Sequence, residues 1–336
     1  MSRAYRRAGV DLDAAERAVE LIGRAARNAT RPEVVAGVGG FAGLFRIGEG
    51  RLLAAAADGV GTKTEIARRA GRLDTVGIDL VAMCANDVVC TGAEPLFFLD
   101  YVSVGRLVPE EAAALVRGMA EGCREAGCAL LGGETAEHPG VLEKGRFDLA
   151  GFCVGLVEED RVLGAHRVRE GDVVLGLPSS GLHSNGFSLV RRALEDAGVG
   201  LGASPPELPR PLVDELLEPT RIYALPVLAA ARAGLVEAAA HVTGGGLPGN
   251  LKRVLPPGLG VRLDRGGWDI PPIFRFIRSL TDADEQDIWL TLNMGLGLLL
   301  MCRPEAVETC ASNLRASGMD ASVVGRVEPG EGVTIG

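Results

Sequence analysis

The 336-residue sequence predicts two α/β-type domains, and three observations carry that expectation. The chain is long enough for two ordinary domains, each burying its own core. In both halves, short strand-like apolar runs alternate with stripes at helical spacing, the pattern of strands and helices packed in layers. Between the halves, the charged segment EEDRVLGAHRVREGD interrupts the pattern. It divides the chain into an N-terminal domain, 1–160, and a C-terminal domain, 161–336.

Residues 12–29 carry Ala15, Ala18, Ile22 and Ala25 at the spacing of a helix with one buried stripe, and Pro32 ends it. The glycine-rich AGVGGFAGLF that follows reads as a loop or strand edge, with 36–43 a candidate lid. Its Gly37, Gly39 and Ala42 match a dinucleotide fingerprint in spacing, but strand-like GLFRI follows where that fingerprint needs a helix. A strand is expected at 52–57, then a helix from Val76 to Cys90 with apolar residues repeating at three and four. PLFFLDYV is a strand by its aromatic and β-branched content. PEEAAALVRGMAEGCREAG opens on proline with glutamates in the first turn, a helix start. Strands CALL and LAGFCVGLV complete the first half. The second half begins with strand VVLGL, the polar turn PSSGLHSNG and helix FSLVRRALEDAG. Helices are expected at about 212–234, 247–255 and 304–316, and strands at GVRLD, GLGLLLM and VVGRV.

Composition limits the function classes. With 47% hydrophobic and 24% charged residues, the chain is globular rather than disordered. A net charge of −9, with no Lys/Arg block after the first seven residues, argues against nucleic acid as a partner. A local pocket can still be positive for a small phosphorylated substrate. The seven cysteines are odd in number and form no C-x-x-C pair, as expected of buried thiols in a cytoplasmic protein. No signal-peptide pattern and no run of about eighteen apolar residues predicts a membrane segment.

Five polar, glycine-rich clusters sit at strand ends and helix starts, where such folds bind ligands. In DGVGTKT, Asp58 can ligate a hard cation. Gly59, Gly61 and Thr62 form a turn whose N–H groups suit phosphate, and Lys63 offers a mobile positive charge. The same stretch also reads as a solvated turn before a capped helix. In GIDLVAMCAND, Asp79, Asn86 and Asp87 are the polar positions of an otherwise apolar helix. Asp79 and Asp87 are separated by roughly 12 Å along the axis, so Asp87 is the better ligand. Glu134, after a strand and a glycine pair, would be a third carboxylate for Mg²⁺. His183, Ser184, Asn185 and Gly186 precede a helix, where free N–H groups attract anions. His241 and Thr243 lead into Gly244, Gly245 and Gly246, three glycines that let a ligand approach the backbone. With no metalloprotease, serine-hydrolase or zinc spacing present, this inventory suits phosphoryl transfer from Mg-ATP.

In order along the chain, DGVGTK, GIDLVAMC, GAEPLFFLDY, GGETAEHPG, DLAGFCVG, GLHSNGFSLVR, LLEPTRIY and HVTGGG resemble the phosphoribosylformylglycinamidine cyclo-ligase family of purine biosynthesis. The resemblance runs from AGVDLDA to RVEPG. It implies a homodimer whose N-terminal sheets pair into a barrel, a C-terminal mixed sheet with helices, and ATP bound between domains and subunits. It also implies the reaction, in which ATP and formylglycinamidine ribonucleotide give aminoimidazole ribonucleotide, ADP and phosphate. By that resemblance Asp58, Asp87 and Glu134 form the metal shell and Lys63 meets the ATP phosphates. The His183 and His241 loops then handle the substrate phosphate or proton transfers. The chain departs from the family pattern at Gly23, where many members carry lysine, and at Leu290 and Leu292, where they carry arginine and phenylalanine. Arg24 or Arg27 could replace the missing lysine. Another ATP-using enzyme of the same superfamily, or a non-catalytic nucleotide-binding relative, are the competing readings.

Overall fold

The computed structural model describes Gly9 and residues 12–336. Its first six strands form one sheet: β1 (Val34–Ala36), β2 (Gly43–Gly48), β3 (Arg51–Gly59), β4 (Glu94–Val104), β5 (Ala129–Glu137) and β6 (Phe147–Glu158). They lie in the order β1-β2-β3-β6-β4-β5, with only β4 and β5 parallel. Period-two alternation decides which side is core. Leu52, Ala54 and Ala56 of β3 are buried, while Leu53, Ala55 and Ala57 face the other way. Helices α3 (Asp74–Val89) and α4 (Pro109–Ala126) cover the buried face; α2 (Lys63–Ala70) precedes them and α1 is Leu12–Ala26. α3 and α4 meet backbone to backbone: a Cβ on Gly118 would lie 1.8 Å from the Asp74 carbonyl and one on Gly77 2.3 Å from that of Leu115. Gly151 of β6 lets Leu80 and Phe98 close under the sheet, since a Cβ there would meet both rows of side chain. Truncating fully buried Phe98 to alanine at this contact costs about 3–5 kcal/mol.

The second sheet has the order β12-β9-β11-β7-β10-β8. Its strands are β7 (Val173–Pro178), β8 (Ala238–His241), β9 (Leu259–Leu263), β10 (Leu296–Cys302), β11 (Ser322–Pro329) and β12 (Gly332–Ile335). β10 is buried at every position, as a central strand covered on both faces requires. Around it lie α5 (Phe187–Asp196), α6 (Leu212–Leu217), α7 (Ala224–Arg232), α8 (Gly246–Leu251), α9 (Pro272–Ser279), α10 (Glu285–Thr291) and α11 (Val307–Ala316). One hydrophobic core runs from α3 into this half.

Several expectations are corrected here. The stripe in α1 is not buried: Ala18, Ile22 and Ala25 are exposed, and so are Val19 and Leu21. The side chain of Ala15 lies outside the described residues. The helix expected over 212–234 is two helices, because Glu218-Pro219 breaks it and residues 218–223 run without regular structure. β8 and β12 were not predicted. β8 is four residues long and mostly alanine, too short and too poor in β-branched residues to register as a strand. All seven cysteines are free thiols, and six are buried, Cys128 being partly exposed.

Candidate active site

β3 ends at the first site residue. Gly59 N donates to Asp58 Oδ1 at 2.7 Å. Burial, reinforced by the nearby charge of Asp87, pushes the Asp58 carboxyl up to about 6. Asp87 lies in the last turn of α3 and accepts from His241 Nδ1 at 2.8 Å. The neighbouring Asn86 sets which nitrogen of His241 is the donor. Asn86 Oδ1 accepts from Tyr223 N at 2.8 Å, so its Nδ2 faces the Arg221 carbonyl at 2.9 Å and His241 Nε2 at 3.4 Å. Nε2 is therefore the acceptor and the proton sits on Nδ1, directed at Asp87.

The partners of Asn86 belong to a strap, residues 218–223, that passes between the two halves. An extended buried segment outside a sheet must find partners for its polar groups elsewhere. Here they are side chains. Lys63 Nζ donates to the Glu218 carbonyl at 2.7 Å and Ser180 Oγ to the Pro219 carbonyl at 2.5 Å. Thr220 donates to Asp79 Oδ1 through its N–H at 2.7 Å and its hydroxyl at 2.6 Å. Tyr223 Oη reaches the Pro178 carbonyl at 2.9 Å.

Lys63 therefore differs from the mobile charge expected. It is fully buried, donates to Asp79 Oδ1 at 2.8 Å and sits 2.8 Å from Oδ2. Desolvation lowers its pKa against the opposing pull of Asp79. The reason is the length of α3: Asp79, a little over two turns before Asp87, faces the strap instead of the ligand loops. His183 differs as well. It adopts φ 61°, its ring is buried, and Nε2 accepts from Ser180 N at 3.2 Å. Desolvation first, then its neighbours His241, Lys63 and Arg221, holds it well below the ordinary histidine pKa. It is a neutral backbone acceptor packed against Tyr223, with ring centroids 6.2 Å apart.

Three glycine loops converge beside Asp58 and Asp87. Gly61 has φ 69° and its Cβ position lies 4.0 Å from the Ser184 carbonyl. Thr62 Oγ1 meets Ser188 Oγ at 3.3 Å, and a Cβ on Gly244 would lie 3.8 Å from Asn185 Oδ1. Gly186 and Gly246 serve packing: a Cβ would fall 2.5 Å from Leu292 Cδ2 in the first and 1.9 Å from the Trp289 carbonyl in the second. Asn250, absent from the predicted set, ties the last loop by donating to the carbonyls of Thr243, Gly244 and Gly246 while Thr243 Oγ1 reaches its Oδ1. An amide side chain four residues after a glycine run was the available signal.

Glu134 does not join the other carboxylates within one chain. It is an exposed residue inside β5, opposite Tyr101, and not in a turn. Register carries Asp58 through Gly151 and Asp100 to Gly133, three strand spacings or about 14 Å. Glu134, the next residue, points to the opposite face. Among the described residues no three His, Cys, Asp or Glu side chains gather as a metal site. Asp58 and Asp87 alone fit a hard cation that keeps most of its ligands from water or phosphate. Next to Gly61 and Thr62 opens a cavity of about 340 Å³ walled by Arg68, Arg146 and Arg191 as well as Glu65 and Asp148. Arg191 Nε is buried there without a hydrogen-bond partner. No helix among the described residues is long and apolar enough to cross a membrane.

The paired carboxylates, the glycine loops and the two-sheet frame define a class. Residues 39–157 match the N-terminal domain, and residues 169–336 the C-terminal domain, of the AIR synthase related proteins. Solved structures share the frame. Thiamine-monophosphate kinase from Stenotrophomonas maltophilia is 20% identical with a TM-score of 0.63, covering 94% of this chain and 95% of that one. Thermotoga maritima PurL, solved with ADP, is 17% identical with a TM-score of 0.61, covering 93% of this chain and 46% of that one. Closer relatives narrow the class. Phosphoribosylformylglycinamidine cyclo-ligase of Myxococcus xanthus is 52% identical over 99% of this chain and 98% of its own length. The enzyme of Geobacillus kaustophilus is 47% identical over 100% and 98%. The chain belongs to the phosphoribosylformylglycinamidine cyclo-ligase family.

Proposed function

We propose that the chain catalyses ATP-dependent ring closure of formylglycinamidine ribonucleotide to aminoimidazole ribonucleotide, releasing ADP and phosphate. The observation that carries this reading is the Asp58 and Asp87 pair beside three converging glycine loops, in a chain that aligns over its length with cyclo-ligases. An amide oxygen is a poor leaving group. Phosphorylation makes it part of a phosphate, which departs when the neighbouring nitrogen closes the five-membered ring. Positioning and charge neutralisation supply most of the catalysis in such a transfer.

Asp58 and Asp87 are the residues that would hold Mg²⁺, which when bound neutralises charge on the ATP phosphates. His241 orients Asp87 through Nδ1–H. The backbone of Gly59, Gly61 and Thr62 lines the phosphate path, and with Lys63 committed to Asp79, the cations beside that path are Arg191 and, each paired with Glu65, Arg68 and Arg146. Asn185, Thr243 and Gly244 line the substrate side. We place the enzyme in the cytoplasm as a homodimer, paired through the outward face of the first sheet, where Phe152 is 46% exposed beside Val154, Leu156 and Leu53.

The test is turnover of formylglycinamidine ribonucleotide with Mg-ATP, scored as the diazotisable aminoimidazole. Product formation supports the reading. ADP release only with a different substrate would assign the chain to another reaction of the superfamily, and nucleotide binding without turnover to a non-catalytic role.

A further inference from the structure

We propose that the Ser184 hydroxyl is held as a hydrogen-bond acceptor for an N–H group of the substrate, and that Thr220 is the positioning residue that holds it so. Asp79 Oδ1 takes three short contacts, from Lys63 Nζ at 2.8 Å, Thr220 N at 2.7 Å and Thr220 Oγ1 at 2.6 Å. An oxygen with three donors around it and a lysine beside it is a carboxylate, which only accepts. The single hydrogen of the Thr220 hydroxyl therefore lies toward Asp79. Ser184 Oγ sits 2.9 Å from Thr220 Oγ1, so the hydrogen between those two oxygens comes from Ser184. With its only hydrogen spent, Ser184 has lone pairs alone to offer a ligand. Ser184 is 7% exposed, in the loop that meets Gly61 and leads through Asn185 to Gly244.

This separates the two kinds of group a phosphorylated amidine presents. A phosphate only accepts, so it gains nothing from a serine whose hydrogen is committed elsewhere. An amidine carries N–H donors and does. Lys63, Asp79 and Thr220 thus act on specificity from behind the loop, without touching the substrate, and Ser184 selects the nitrogen end of the ligand rather than its phosphate.

The inference rests on the ring-closure reading and is tested with two ligands, formylglycinamidine ribonucleotide and its counterpart with a carbonyl oxygen in place of the amidine nitrogen. Calorimetric titration of the full-length protein is expected to show Ser184→Ala weakening the amidine ligand about tenfold and the carbonyl ligand less than about twofold. Thr220→Val, which frees the serine hydrogen, should narrow the ratio of the two affinities. Thr220→Ser should restore the ratio, a rescue that a merely structural role for the methyl-bearing side chain does not give. Equal weakening of both ligands by Ser184→Ala, or an unchanged ratio in Thr220→Val, overturns the proposal while ring closure stands. If the unsubstituted protein binds neither ligand, the ring-closure reading falls and takes this inference with it.

Discussion

His241 Nδ1 lies 2.8 Å from Asp87 Oδ1, a bond across 154 residues that joins the end of β8 in the second sheet to the end of α3 under the first. His241 is fully buried and Asp87 keeps 16% side-chain exposure, so the imidazole anchors a carboxylate whose other oxygen remains available. Such a bond fixes where the carboxylate points, and a metal ligand displaced by an ångström loses most of its value.

From this follows an ordering of substitutions. His241→Asn should lower ADP production by roughly 10–100-fold, the usual penalty for removing a group that orients a metal ligand. Asp87→Asn, which changes the ligand itself, should lower it further and raise the Mg²⁺ concentration needed for half activity. Steady-state assays across a magnesium series read both. An Asp87→Asn enzyme with the parent's magnesium dependence would remove Asp87 from the cation.

The buried Lys63–Asp79 pair gives a second expectation, on stability. Removing one member of such a pair leaves an uncompensated charge inside the protein, at a cost of about 3–5 kcal/mol. Lys63→Met should therefore lower the urea midpoint strongly, and adding Asp79→Leu should recover part of the loss, since the stranded carboxylate is then gone. Recovery stays incomplete because Thr220 N and the Glu218 carbonyl lose their partners. If Lys63→Met unfolds at the parent's midpoint, the pair is not what fastens the strap.

These relationships also mark where the sequence was legible. The β3 strand, α3 and α4 were readable because their burial follows a local period, and β10 because it is a short continuous apolar run: Leu52, Ala54 and Ala56 alternate, and α3 repeats at three and four. Asp58, Asp87 and His241 were readable as polar residues at element ends. What escaped was nonlocal. Whether Lys63 reaches a phosphate or Asp79 depends on a strap 155 residues away, and the polar groups of that strap are met by Asp79, Asn86 and Ser180, which no local pattern links to it. Asp79 and Asn86 did stand out as polar positions in an apolar helix, and their purpose is now visible. Glu134 was misplaced because CALL ends as an apolar run while the strand itself continues through the glycine pair.

The raised Asp58 carboxyl predicts a pH effect whose sign is opposite to that of most acidic residues. Its folded value of about 6 stands above the ordinary 3.8, so between these limits the folded protein holds the proton and the unfolded chain does not. Its contribution to stability is therefore lost as pH rises from about 4 to 6, by about 3 kcal/mol at most. In chelator, Asp58→Asn should remove that decline, visible as a difference between the two proteins' unfolding midpoints that grows over this window and then levels off. Parallel midpoint curves for the two proteins would mean that Asp58 is not held in its protonated form by burial.

The outward face of the first sheet provides the last expectation. Phe152 is 46% exposed at the centre of a six-stranded sheet whose inner face is covered by α3 and α4, and its neighbours on that side are Ala57 and Leu99 rather than charged residues. Isolated apolar side chains on a surface are ordinary, but an apolar row across adjacent central strands marks a surface that another protein covers. Phe152→Asp places a charge in that row without touching the core, because residue 152 points away from Leu80 and Phe98. Sedimentation should show the parent chain as a dimer and the variant as a monomer, with the variant's circular dichroism unchanged. ATP hydrolysis should fall with dimer content on dilution if the nucleotide lies between subunits. A parent protein that sediments as a monomer at micromolar concentration rules out pairing through this face, and a dimeric Phe152→Asp protein moves the interface elsewhere.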